Sequence, residues 1–165
     1  MKSHGRNRKE FGKTKVNVVE RIISLLQVPG SRGKKHTIIT RWSTGKYNNC
    51  AKIMIDTLKI IEKQTGKNPV AVLVKAIENA APRDTVTAIE YGGARYPQSV
   101  DISPIRRVNI VLRYLVHGAY DKAFNKKATM REALAKEIIL ASENSSESFA
   151  ISKKNDSEKQ ADAAR

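Results

Sequence analysis

The chain has 165 residues, 40% of them hydrophobic, which suits one domain with a buried core. Its net charge of +15 points to a polyanionic partner, and residues 1–46 hold 12 Lys and Arg against only Glu10 and Glu20. A membrane is the weaker polyanion: no apolar run approaches ~20 residues, and the start, Met-Lys-Ser-His-Gly-Arg, has no signal-peptide core. Cys50 stands alone, which excludes a disulfide frame and a cysteine zinc site and suits a reducing interior.

Residues 1–15 are polar, basic and aperiodic. They read as an arm that is disordered alone and orders on nucleic acid. Val16, Val19, Ile23 and Leu26 repeat at helical spacing and predict a first helix over 16–27, stopped by Pro29-Gly30. Residues 29–46 form a long basic loop, of the length that is functional or disordered. A second helix over 48–65 turns Ala51, Met54, Ile55, Leu58 and Ile61 inward, and Gly66 ends it. Asn68-Pro69 opens a third helix as cap plus proline, with Val70, Leu73, Val74, Ile77, Ala80 and Ala81 on its buried face and Pro82 closing it.

Residues 85–102 are the one stretch that reads as β. Thr85 to Tyr91 is rich in β-branched residues, Gly92-Gly93 supplies a tight turn, and Ala94 to Ile102 returns. Pro97 confines the return strand to an edge or bulge. Two strands alone are marginal, so the hairpin must lean on helices or on a partner. Ser103-Pro104 starts a fourth helix, with Ile105, Val108, Leu112, Leu115 and Ala119 inward and Arg106 and Arg113 together on another face. Thr129-Met-Arg-Glu132 is a capping box for a fifth helix that buries Leu134, Ile138 and Ala141. Residues 142–148 break it, Phe149-Ala-Ile151 docks on the bundle, and a weakly helical end closes the chain. The expected fold is all-α: one domain, a five- to six-helix bundle over 16–151 with a protruding β-hairpin between helices three and four, an arm over 1–15 and a tail over 152–165.

The cations concentrate in loops and at helix starts. Candidate RNA-binding residues are Arg6, Arg8, Lys9, Lys13 and Lys15 in the arm, and Arg32, Lys34, Lys35, Arg41 and Lys46 in or beside the loop. Arg83, Arg95, Arg106, Arg107, Lys153 and Lys154 complete the set. The helix dipole disfavours Arg106 and Arg107 in a first turn, so an anionic partner, a phosphate rather than a carboxylate of the same chain, is expected there. Isolated cations such as Lys59 and Lys63 read as solvated surface. Aromatics are only 5%, so folded RNA read through shape and phosphates fits better than a stacking platform. Tyr96 is the best stacking candidate, against a cross-strand contact with an aliphatic neighbour. Trp42 is either a core plug or a contact to a nucleotide or neighbour.

Catalysis finds little support. His4, His36 and His117 are scattered, none beside a partner at metal or triad spacing, and Gly30-Ser-Arg-Gly-Lys-Lys35 lacks the glycine spacing and hydroxyl of a P-loop. No enzyme activity, metal or cofactor is expected, and Cys50 reads as a buried, inert thiol. A rival from another class is a winged-helix DNA-binding protein, since three helices precede a hairpin. Two further helices after the hairpin and the long loop speak against it.

Five blocks carry a family resemblance: Asn68-Pro-Val-Ala-Val-Leu-Val74, Ala76-Ile-Glu-Asn-Ala-Ala-Pro-Arg83, Tyr91-Gly-Gly93, Val100-Asp-Ile-Ser-Pro-Ile-Arg-Arg-Val108 and Ser148-Phe-Ala-Ile-Ser-Lys-Lys154. Over residues 16–160 the chain closely resembles the S-seven family of small-subunit ribosomal proteins, in its archaeal and eukaryotic branch. The resemblance implies a helical bundle with a protruding hairpin, and a structural component of the cytoplasmic ribosome. It further implies binding to the 3′ major (head) domain of 16S-type rRNA and a part in starting head assembly. The hairpin would line the tRNA exit site and mRNA path, beside neighbouring head and platform proteins. One departure stands out. Gly33-Lys34 lies at the family distance after Leu25-Leu26, and Gly45-Lys46 at the family distance before Ile53-Met54 and Thr57. The loop is therefore extended, and either pair is a candidate for the family's RNA contact.

Overall fold

The computed structural model describes residues 8, 10, 12–29 and 45–165. A turn of 3-10 helix, Gly12–Lys15, leads into α1 (Val18–Leu26), whose N-cap Asn17 accepts from the Val19 amide through its side chain at 3.0 Å. Then come α2 (Tyr47–Thr65), ended by Gly66 in the left-handed region, and α3 (Pro69–Ala80), capped by the Asn68 side chain with Pro69 in its first turn. Strands β1 (Asp84–Tyr91) and β2 (Ala94–Asp101) follow, then α4 (Pro104–Ala123), α5 (Met130–Ser142) and α6 (Phe149–Ala163). The described residues are thus mostly helical, with six α-helices and one antiparallel hairpin placed between α3 and α4 as expected.

Local chemistry sets most boundaries. Thr129 and Glu132 close the capping box of α5; its hydrogen bonds to Thr129 hold the Glu132 carboxyl below its ordinary pKa. Gly92 and Gly93 both have positive φ, the conformation a two-residue hairpin turn needs, and pair Tyr91 with Ala94. Ser103 stands at the N-cap of α4 without a side-chain capping bond. Residues 152–165, expected as a weakly helical tail, continue α6 unbroken as far as Ala163.

α5 lies at the centre, packed against α2, α3, α4 and α6. It buries Leu134, Ile138 and Ala141 as expected, and also Ala133, Ala135 and Glu137, so apolar and small residues surround most of its circumference. Several inward assignments are corrected. Ile55 is 53% exposed, Val70 and Val74 47%, and Ile105 46%. In α3 the buried stripe is Val72, Leu73, Ala76, Ile77 and Ala80, rotated from the expected one because two adjacent apolar rows compete for α5 and one loses. In α2 the interior position goes to Thr57, whose hydroxyl donates to Ile53 O at 2.8 Å and Arg131 O at 3.3 Å.

Glu137 has no solvent exposure, yet both its carboxylate oxygens are hydrogen-bonded. Its Oε2 accepts from Lys122 Nζ of α4 at 2.6 Å, and its Oε1 accepts from Ser148 Oγ at 2.7 Å and from the Ala150 amide at 3.2 Å at the start of α6. Above it, α4 and α6 meet at Gly118, where a β-carbon would stand 2.6 Å from Phe149 Cβ and 3.1 Å from Glu137 Cδ. The hairpin root is held by α6. Ser99 N donates to Ala164 O at 3.3 Å, Arg83 N to Glu158 Oε1 at 3.2 Å, and Arg165 pairs with Asp84 at 2.8 Å.

Replacing Glu137 with Ala orphans the Ser148 hydroxyl and the Ala150 amide; Lys122, a third exposed, keeps some hydration. The expected loss is about 3 kcal/mol, the low end of the range for breaking a buried pair. Gly118→Ala should cost about 1–3 kcal/mol through overpacking. Urea denaturation of both variants checks this; a wild-type midpoint for Glu137→Ala would remove the carboxylate from the core's supporting set.

Candidate RNA-binding surface

The structure sorts the sequence candidates into groups. Arg6, Lys9, Arg32, Lys34, Lys35, Arg41 and Trp42 lie outside the described residues, as does the Gly33-Lys34 pair. Lys13 belongs to the 3-10 turn. Arg8, Lys15 and Lys46 are exposed, Lys46 at the N-cap of α2.

At the hairpin, register Glu90↔Arg95 places opposite charges across the strands, and the side chains pair at 3.5 Å in full solvent, a contact of little energetic weight. Tyr96 is opposite Ile89, and Tyr91 lies two residues further along the same face. The two rings are 57% and 73% exposed, so cross-strand packing leaves both free to meet a partner.

The two cationic pairs split. Arg107 Nε donates to Pro82 O at 3.0 Å, tying the first turn of α4 to the chain entering the hairpin. Arg106, its neighbour, is exposed and has no hydrogen bond or ion pair among the described residues. Lys154 Nζ donates to Asn79 O at 2.8 Å and satisfies a carbonyl in the last turn of α3. Lys153 is exposed, paired with Asp156 at 3.3 Å and 5.8 Å from the Phe149 ring. Arg83 uses its backbone for Glu158 and leaves its side chain exposed.

Sequence reasoning passed over Arg21. It sits half-buried on α1, bonded through Nη2 to Asn109 Oδ1 of α4, and burial lowers its pKa from the ordinary guanidinium value. Arg113 is exposed on α4 seven residues after Arg106, nearly two full turns, and also lacks a protein partner among the described residues. The signal for this surface was the Arg106–Arg113 spacing; the missing step was that α1 packs alongside and adds Arg21. Cys50 is buried and desolvation raises its pKa, which keeps the thiol protonated and inert. Among the described residues there is no cluster able to hold a metal, and no helix is long and apolar enough to cross a membrane.

The profile of the family described as ribosomal protein S7p/S5e matches residues 2–165. The chain belongs to that family. It is 51% identical over 164 residues to the small ribosomal subunit protein uS7 of Nanoarchaeum equitans, covering 99% of this chain and 83% of that one. Against the protein of the same name from Methanothermobacter thermautotrophicus, identity is 41% over 157 residues, 95% of this chain and 78% of the relative. For Picrophilus torridus it is 44% over 154 residues, 93% and 76%. Family membership makes this a ribosomal protein, working in translation on the cytoplasmic ribosome in a structural rather than enzymatic role. The winged-helix alternative falls with it, consistently with α5 and not α1–α3 forming the centre of the packing.

The split pairs predict opposite outcomes in the free protein. Arg107→Gln should lower stability by about 1–3 kcal/mol, because the Pro82 carbonyl loses a charged donor. Arg106→Gln should change it by less than about 0.5 kcal/mol. Thermal melting of the two variants decides; equal shifts would mean that Arg106 too is structural.

Proposed function

We propose that the protein binds the 3′ major domain of small-subunit ribosomal RNA, helps start the folding of the subunit head, and extends its hairpin toward the exit-site tRNA and the mRNA path, beside neighbouring head and platform proteins. The observation that carries this reading is the face of α4 on which Arg106 and Arg113 stand exposed without a protein partner among the described residues. A first turn that holds an unpaired arginine against the helix dipole is stabilised when a phosphate arrives. Arg8, Lys15, Lys46, Arg83 and Lys153 extend the positive field; their contacts with phosphates supply affinity without base choice. Arg107 and Lys154 support the surface from beneath, because their polar atoms hold carbonyls of their own chain.

The hairpin is the second working part. Its root is bonded to α6 and its tip, residues 90–98, is exposed throughout. The root-to-tip gradient separates anchoring from contact: Ile102 is buried and Val100 half-buried, while Tyr91, Arg95 and Tyr96 face solvent.

Footprinting on a 3′ major domain transcript should show protection within that domain, and excess duplex DNA should not displace the protein. Arg106→Gln should flatten the log–log salt dependence of affinity by roughly 0.7–0.9. Replacing Tyr91–Gln98 with a two-residue turn should keep rRNA binding and the helical fold, and impair tRNA or mRNA handling on assembled subunits. A shortened protein that no longer binds rRNA would move the tip into the primary binding surface.

A further inference from the structure

Between α1 and α4 lies a cleft of about 330 Å³. This is at the small end of ligand sites, which run about 300–1,000 Å³, and suits a single planar group with a short appendage rather than an extended ligand. Its polar rim is Arg21, Ser24, Asn109 and Arg113; its apolar wall is the half-buried Val16 and Leu25, with buried Leu112 behind them. The rim is already partly arranged. Arg21 donates to Asn109 Oδ1, which fixes the amide orientation and leaves the Asn109 NH₂ as donor, and no described residue accepts from it. Neither Arg21 nor Arg113 has an ion-pair partner among the described residues. Two guanidinium groups therefore stand at the mouth of a cavity whose wall is apolar.

A phosphate alone would satisfy the arginines and leave the apolar wall wet. An aliphatic side chain from a protein partner would cover the wall and leave the arginines unpaired. A nucleotide answers both. Folded RNA presents such groups where a base is splayed from its stack; arginine planes hold an exposed ring, and extruded bases also lie against apolar side chains. We propose that this cleft receives one unstacked nucleotide of the bound RNA, with its base on Val16 and Leu25, a base-edge acceptor on the Asn109 amide, and its phosphate on Arg113 and Arg21. The proposal rests on the RNA-binding function above and adds a point at which the protein reads the position of a single nucleotide.

The test fills the cleft without changing its charge. Ser24 is exposed on α1 and its hydroxyl only back-bonds to Glu20 O at 3.0 Å, so Ser24→Trp leaves the helix intact while placing an indole in the cavity. Affinity for the 3′ major domain transcript, its salt dependence, and nucleotide-resolved 2′-hydroxyl acylation are measured for the full chain. Ser24→Trp should bind at least tenfold more weakly, and one nucleotide should lose its protein-dependent reactivity. Arg113→Gln should alter the same nucleotide and flatten the slope by roughly 0.7–0.9. Thermal melting establishes that each variant folds; Arg113→Gln, at an exposed position, carries the footprint if Ser24→Trp does not fold. A Ser24→Trp protein that binds and footprints like wild type overturns the cleft while leaving the RNA-binding function standing, as does an Arg113→Gln footprint with no nucleotide changed. A wild-type protein that fails to bind the transcript overturns both.

Discussion

Glu137 is a carboxylate with no access to water, and three elements of the fold converge on it. α5 supplies the side chain, α4 supplies Lys122, and the chain entering α6 supplies the Ser148 hydroxyl and the Ala150 amide. Burying such a group is unfavourable unless it is paired and both its oxygens are hydrogen-bonded. The three donors meet that condition only when α4, α5 and the start of α6 hold one relative position. Lys122 reinforces the same geometry by also donating to Glu147 O at 3.3 Å. Gly118 then lets α6 approach α4 above the carboxylate, where any β-carbon would force Phe149 to shift. The apolar core provides the driving force of folding, and this polar node provides a unique arrangement of the helices around it.

The position of α6 has consequences at its far end. Fifteen residues of helix carry the geometry set at Ser148 to the hairpin root, where Glu158, Ala164 and Arg165 bond to residues 83, 99 and 84. Two strands with no third partner among the described residues would be marginal in water. Here the sheet is short of strands but not of support, because a helix end does the work of a neighbouring strand at its root. The tip is left without such support, and it carries two exposed tyrosines on one face. A rigid root and an unburied tip are what a chain needs if it is to present a probe at a fixed distance from its body.

The charge distribution follows the same division. Some cations, such as Arg107, Lys122 and Lys154, hold carbonyls or a carboxylate of the chain at the junctions between elements. Arg106 and Arg113, which have no such partner among the described residues, lie along α4, Arg113 at the rim of the cleft beside α1. Net charge alone does not distinguish the two sets, although both add to the +15 total. The first kind stabilises the free protein; the second adds like-charge repulsion that a polyanion would neutralise.

What the amino-acid sequence determined by itself is what local physics controls. Asn68-Pro69, the Thr129–Glu132 box and Gly92-Gly93 act within a few residues, and each stands where it was read. The class of partner was equally legible, because a charge total does not depend on the fold. The tertiary structure decided the rest. Val70 and Val74 have the same hydrophobicity as Val72, and their exposure depends on which side of α3 meets α5. Arg106 and Arg107 are adjacent and chemically identical, yet one bonds to Pro82, 25 residues back, and the other to nothing described. Lys154 finds its carbonyl 75 residues away, and Arg21 its amide 88 residues away. Periodicity and capping report on one turn of one helix; a partner from a distant segment exists only after the chain has closed on itself.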